Sequence, residues 1–244
     1  MSFLSLLPRF WRGSLVKANA KRLTLTCALL GATTLLSMPV QAQQTDSQFW
    51  TLLTFNARYS NKYRLYVEAQ PRLGQHYQRY TQFLFRPAVG YQLNKTVSLW
   101  LGYGWTPTFQ PTYINENRIF QQVLVENRYP GFDMQNRTRL EQRSIEGAGE
   151  TAWRIRHQIR VAKPLGTGSR WQAVAYNELF WNLNSTPSGP QSGFDQNRPY
   201  VGMGYTINKH TRVELGYLAM FLNPPRNRPN RRLDTLVLSA NYNL

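Results

Sequence analysis

Six arginines carry the strongest chemical signal in this chain. Arg137, Arg139 and Arg143 fall in one stretch and Arg154, Arg156 and Arg160 in the next, each trio at even spacings. Residues two apart on a β-strand point to the same side, so each trio would stand on one face. A guanidinium is permanently charged and offers five donors in a planar fork suited to carboxylate and phosphate. Neighbouring strands lie about 5 Å apart, so six cations would crowd one wall with only Glu141 among them. Repulsion at that spacing is unfavourable unless water or anions screen it. The expected chemistry is a wet, positive surface that favours anions. Glu68, Glu178 and Glu214 sit on the matching faces of other stretches and are the expected counter-charges. In the competing reading, arginine and glutamate pair across an interior and close it.

Catalytic chemistry is poorly supplied. The three histidines are His76 in a loop, His157 on an apolar face and His210 in a short turn. None has a serine or carboxylate partner at a recognisable spacing, and no G-x-S-x-G occurs, so no enzyme is expected. No two histidines stand at metal-ligand spacing, and neither a metal nor a cofactor is expected.

The elements that must position the arginines read as strands. Runs of about ten alternating residues closed by turn residues are the signature of a transmembrane barrel strand. Candidates fall at 49–59, 63–73, 80–93, 97–107, 118–129, 132–145, 151–162, 171–184, 196–207, 211–222 and 233–244. In the second, Tyr63, Leu65, Val67 and Ala69 oppose Arg64, Tyr66, Glu68, Gln70 and Arg72. In the seventh, Trp153, Ile155, Ile159 and Val161 oppose Arg154, Arg156, Gln158 and Arg160. One hairpin is written twice: VGYQLNKTVSLWLGY at 89–103 returns as MGYTINKHTRVELGY at 203–217, with Asn94 and Asn208 as turn residues. Tyr91, Tyr103, Trp105, Tyr205 and Tyr217 fall near strand ends on the apolar face, where membrane headgroups would lie. Gly90, Gly102, Gly204 and Gly216 fall on the opposite face, where a missing side chain relieves crowding.

Connections alternate between short turns and longer loops rich in Pro, Asn and Gly, as outer-membrane barrels arrange them. The alternating end Leu236, Leu238, Ala240, Tyr242, Leu244 suits recognition by barrel assembly machinery, with Leu244 in place of the more usual terminal Phe. Residues 1–42 read as a secretory signal peptide. Arg9, Arg12, Lys17, Lys21 and Arg22 precede the apolar run LTLTCALLGATTLLSMPV and the small-residue site Val40-Gln41-Ala42. Cys27, the only cysteine, lies inside that run, so an exported chain of residues 43–244 would lack thiols and disulfides.

That exported part holds 24 basic and 12 acidic residues, a net charge of +12. Nucleic acid is the first partner such a charge suggests. The arginines sit at strand spacing rather than in a stripe or tail, and export removes the chain from most nucleic acid. No nucleic-acid partner is expected.

Several segments resemble an uncharacterised bacterial outer-membrane β-barrel family, domain of unknown function 2490. They are YVEAQPR (66–72), RPAVGYQLNKTVSLWLGYGW (86–105), RLEQR (139–143), YNELFWNLN (176–184) and FDQNRPYVGMGY (194–205). The resemblance implies an outer-membrane barrel of a Gram-negative bacterium and no catalytic residues. The expected fold is all-β, a transmembrane antiparallel up-and-down barrel of ten to twelve strands. Eleven candidates are visible, but single-chain bacterial barrels have even numbers, which points to twelve, or else ten. The expected role is a small channel in contact with outer-membrane lipid, its lumen lined by Arg137, Arg139, Arg143, Arg154, Arg156 and Arg160. Its solutes would be acidic oligosaccharides or small organic anions.

Overall fold

The computed structural model describes residues 44–224 and 229–244. The expected signal peptide, with Cys27, lies outside the described residues.

Eleven strands close into one barrel. They are β1 (Gln44–Arg58), β2 (Tyr63–Gly74), β3 (Arg79–Gln92), β4 (Val97–Trp105), β5 (Glu116–Tyr129) and β6 (Phe132–Ile145). The circuit continues with β7 (Ala152–Pro164), β8 (Trp171–Asn182), β9 (Gly193–Thr206), β10 (Thr211–Leu222) and β11 (Arg231–Asn243). Each strand pairs antiparallel with the next, and β1 closes on β11 in parallel. All eleven alternating runs are strands, and the expectation of twelve or ten is corrected to eleven. The reason is geometric. Strands that reverse direction at every turn bring an odd-numbered last strand back parallel to the first. That seam is continuous over thirteen residue pairs, from Gln44 opposite Arg231 to Asn56 opposite Asn243.

The connections sort by rim. Residues 59–62, 93–96, 130–131, 165–170 and 207–210 turn at one end; 75–78, 106–115, 146–151 and 183–192 turn at the other, where β10 also ends and β11 begins. The duplicated hairpin supplies two of the short turns, β3–β4 and β9–β10. Asn94 Oδ1 accepts from the backbone N–H of Thr96 and Val97, both at 2.9 Å. Asn208 Oδ1 accepts in the same way from His210 at 2.9 Å and Thr211 at 2.8 Å. The same chemistry at the same position makes the same turn.

The polarity is inside out. Leu65, Val89, Leu101, Ile119, Ile155, Leu179, Val201 and Leu215 are exposed on the outer face, while charged residues of the alternate positions are buried inside. Aromatic rings collar both ends of this apolar band. At the short-turn rim Tyr63 packs on Tyr91, Tyr129 on Phe132, Trp171 on Tyr205 and Phe55 on Tyr242. At the long-loop rim Phe83 packs on Trp105, Tyr80 on Phe109 and Trp181 on Phe194. Trp171 and Trp181 mark the two collars on β8. Ten residues of strand are roughly 33 Å long, or roughly 25 Å along the axis at a 40° tilt. A polar interruption crosses the outer face of β5–β7: Gln121 and Gln142 exchange amide hydrogen bonds, and Thr138 Oγ1 lies 2.9 Å from His157 Nδ1.

The lumen has two unlike walls. On β8–β11 and β1, Val174, Tyr200, Leu218, Met220, Leu233, Val237 and Trp50 pack into an apolar cluster. Most of the arginines that line the lumen stand on β5, β6 and β7. Tyr200 fits because Gly202 and Gly216 leave it room: its hydroxyl lies where a Cβ of either would stand. A Cβ at Gly216 would also come within 2.5 Å of the Val201 carbonyl oxygen, which is backbone and cannot turn away. Gly216→Ala should therefore destabilise the detergent-folded protein by about 1–3 kcal/mol, read as a lower urea midpoint. An unchanged midpoint would mean that Tyr200 is not held where described.

Candidate functional site

The arginines of β6 and β7 face inward, as their spacing requires. Arg139 and Arg156 are direct cross-strand neighbours, and Arg154 stands opposite Glu141. Two cations at opposed positions of a ladder repel, and the fold relieves this by supplying carboxylates. Glu141 is fully buried and accepts from Arg154 Nη2 at 2.6 Å, Arg154 Nε at 3.0 Å and Arg156 Nη1 at 2.8 Å. Arg139 Nη1 lies 3.8 Å from the same carboxylate. Glu178, on β8, accepts from Arg156 Nη2 at 2.7 Å and Arg137 Nη2 at 2.9 Å. Arg154 also reaches Asp195 of β9 at 3.2 Å.

The network extends beyond the six. Arg143 and Arg118 both grip Glu116, each with Nε at 2.6 Å from its Oε1. Arg160 Nη2 donates to Glu214 of β10 at 2.6 Å. Glu68 pairs with Arg86 and accepts from the Tyr66 hydroxyl at 2.7 Å. Arg64 reaches across to Glu126 at 3.4 Å near the short-turn rim. Ring faces add to the carboxylates: Arg139 lies 4.0 Å from the Phe120 centroid, and Arg156 4.5 Å from that of Phe180. These faces attract cations through the ring quadrupole.

Glu141 is the one glutamate on β6 and β7, and the other carboxylates come from further round the barrel. All six reach a carboxylate, and most of the partners come from outside β6 and β7. All four expected counter-charges, Glu68, Glu141, Glu178 and Glu214, are used. Glu116, Asp195 and Arg118 also belong to the network. Glu116 has a signal in parity, because it lies two residues before Arg118 on the same face; β5 begins at Glu116, two residues ahead of the expected start at 118. Asp195 carries no such signal, because the register of β8 with β9 shifts beside it, between Phe180 and Trp181.

The lumen still has room. A cavity of about 1430 Å³ is lined by residues from Gln110 and Pro111 at the long-loop rim to Asn243 and Leu244 at the other. Fifteen arginines and Lys95 line it, against seven carboxylates, so positive charge remains in excess after the pairs are made. Arg72, Arg198 and Arg212 make no ion pair with any carboxylate among the described residues. His157 meets Thr138 on the outer face, and His210 Nδ1 lies 2.7 Å from the Asn243 carbonyl oxygen.

These features define a class: a closed β-barrel with an apolar exterior, two aromatic collars and an arginine-rich interior. The profile of a family described as protein of unknown function (DUF2490) matches residues 47–231, and the chain belongs to that family. It is also 32% identical over 186 residues to the uncharacterized protein MexAM1_META1p0181 of Methylorubrum extorquens, covering 74% of this chain and 78% of that one.

Proposed function

We propose that this barrel spans the bacterial outer membrane and forms a narrow, water-filled passage that prefers small anions. The observation that carries the reading is the excess of cations over carboxylates along a cavity lined from rim to rim. The apolar outer band supports the membrane, since a face so apolar in water would drive association. Its height of roughly 25 Å matches the hydrocarbon band of outer-membrane barrels. In this reading the short turns face the periplasm, residues 1–42 direct export, and β11 is presented to the assembly machinery. Leu244 suits that role: its N–H donates to the Asn56 carbonyl at 2.8 Å, so the last residue is still held by the seam. Acidic sugars and organic acids fit the charge. No step of chemistry is assigned to the lumen, and an enzyme is not part of the proposal.

A second reading, a closed structural barrel acting through its external loops, draws on the interlocked Arg139, Glu141, Arg154, Arg156 and Glu178. Planar-bilayer recording separates the two. The folded protein should give steady current steps, with a reversal potential across a salt gradient displaced to the anion side. Arg212→Gln removes a charge that no carboxylate holds and should move that potential toward zero. A silent bilayer from protein shown to be folded would leave the closed barrel as the better reading.

A further inference from the structure

Arg72 and Arg198 differ from the other arginines of the lumen. Arg72, on β2, is nine-tenths buried, yet it bonds only neutral amides: Nη2 donates to Gln70 Oε1 and Nη1 to Gln82 Oε1, both at 2.6 Å. Arg198, on β9, donates through Nε to Gln196 Oε1 at 2.8 Å. Its cross-strand neighbour Glu178 is turned toward Arg156 and Arg137. Both guanidinium groups lie near Trp50 of β1, with their carbons 3.5 Å and 5.5 Å from its centroid, and Arg198 also lies 4.4 Å from that of Phe180. The two are therefore no more than about 9 Å apart, within reach of one small molecule that bridges them. All three residues line the cavity.

Burying a cation without a counter-charge is costly. Arg72 is buried and Arg198 half-buried, so the two repel, and amide oxygens and ring faces compensate only in part. Most of the other arginines inside the barrel are answered by a carboxylate. Here the sequence places glutamines at 70, 82 and 196, which orient the guanidinium forks without neutralising them. A neutral orienting partner leaves the charge free for a ligand, whereas a carboxylate would cancel it.

We propose that Arg72 and Arg198, set by these glutamines over Trp50, form a binding site for the carboxylate or phosphate group of a small soluble anion. The inference rests on the reading of a water-filled, anion-preferring lumen, and it adds a fixed station within that passage. Arginine suits the task because its planar fork takes two oxygens of such a group at once. Trp50 closes the site on its apolar side, where the ligand would shed water and its charge pairs would strengthen.

The test is calorimetric titration of the detergent-folded protein with inorganic phosphate and, separately, with glucuronate. Folding of each variant is checked by circular dichroism and by the mobility change on heating. At least one probe should bind saturably to the wild type. Arg72→Gln combined with Arg198→Gln should weaken that binding at least tenfold, while Arg128→Gln at the short-turn rim should leave it unchanged. Equal binding by the folded double variant, or no saturable binding of either probe by the folded wild type, would overturn the site. Saturable binding lost in the double variant, together with a silent bilayer, would retain the site and remove the passage. Conduction without saturable binding would retain the passage and remove the site.

Discussion

Replacing Glu141 by glutamine should destabilise the folded barrel by about 3–5 kcal/mol, the range for removing one member of a buried ion pair. Glu141 is fully buried and anchors Arg154 and Arg156, with Arg139 at 3.8 Å. Glutamine keeps the shape but offers one neutral oxygen and an amide NH2 donor that faces guanidinium donors. Arg156 would keep Glu178 and Arg154 would keep Asp195, while Arg139 would lose the carboxylate it reaches. The effect is read from the urea midpoint in detergent, or from the temperature at which the barrel loses its compact mobility. The half-exposed pair Arg64–Glu126 supplies the comparison: Glu126→Gln should cost about 0–1 kcal/mol, because that pair sits in water. If Glu141→Gln were as mild, the lumen would be wet enough around Glu141 for water to replace it.

The second large effect concerns the outer face. Ile155→Lys should lower stability in a bilayer by about 2–4 kcal/mol and reduce the amount of barrel assembled, because the ammonium would stand in hydrocarbon. Its neighbour Arg154→Lys keeps the charge on the inner face and should still assemble, though a lysine cannot reproduce the forked contact with Glu141. Folding assays in lipid vesicles distinguish the two. Equal assembly of both variants would contradict the assignment of a membrane to the apolar band.

Much of this arrangement could be read from the sequence, for physical reasons that differ from place to place. The faces of β2 and β7 were legible because alternation is a local consequence of the pleat. The turn at Asn94 was legible because one side chain closes it. Tyr91, Tyr103, Trp105, Tyr205 and Tyr217 lie where the period placed them. The partner of β1 was not legible. Nothing within a strand records whether its far neighbour runs parallel, and the even-number rule gave the wrong total. The ion pairs were only half legible. Arg160 and Glu214 lie 54 positions apart on β7 and β10, and Arg137 and Glu178 on β6 and β8. Such pairs meet because the sheet curls closed, and curvature is a property of the whole circuit. Counting charges strand by strand therefore made β6 and β7 look uncompensated.

The parallel seam has a topological consequence. In a barrel with an even number of strands, both ends of the circuit leave from one rim, and a short linker could join them to open the chain elsewhere. Here Gln44 begins at the long-loop rim and Asn243 ends at the short-turn rim. A circularly permuted version would need a linker as long as the barrel is tall, roughly ten residues in extended form. A linker of that length, running back between β11 and β1, would be antiparallel to both and could pair with each. Such a graft would become a twelfth strand rather than a tether. In a bilayer, epitope tags fused at the two ends would be reached by antibodies from opposite sides.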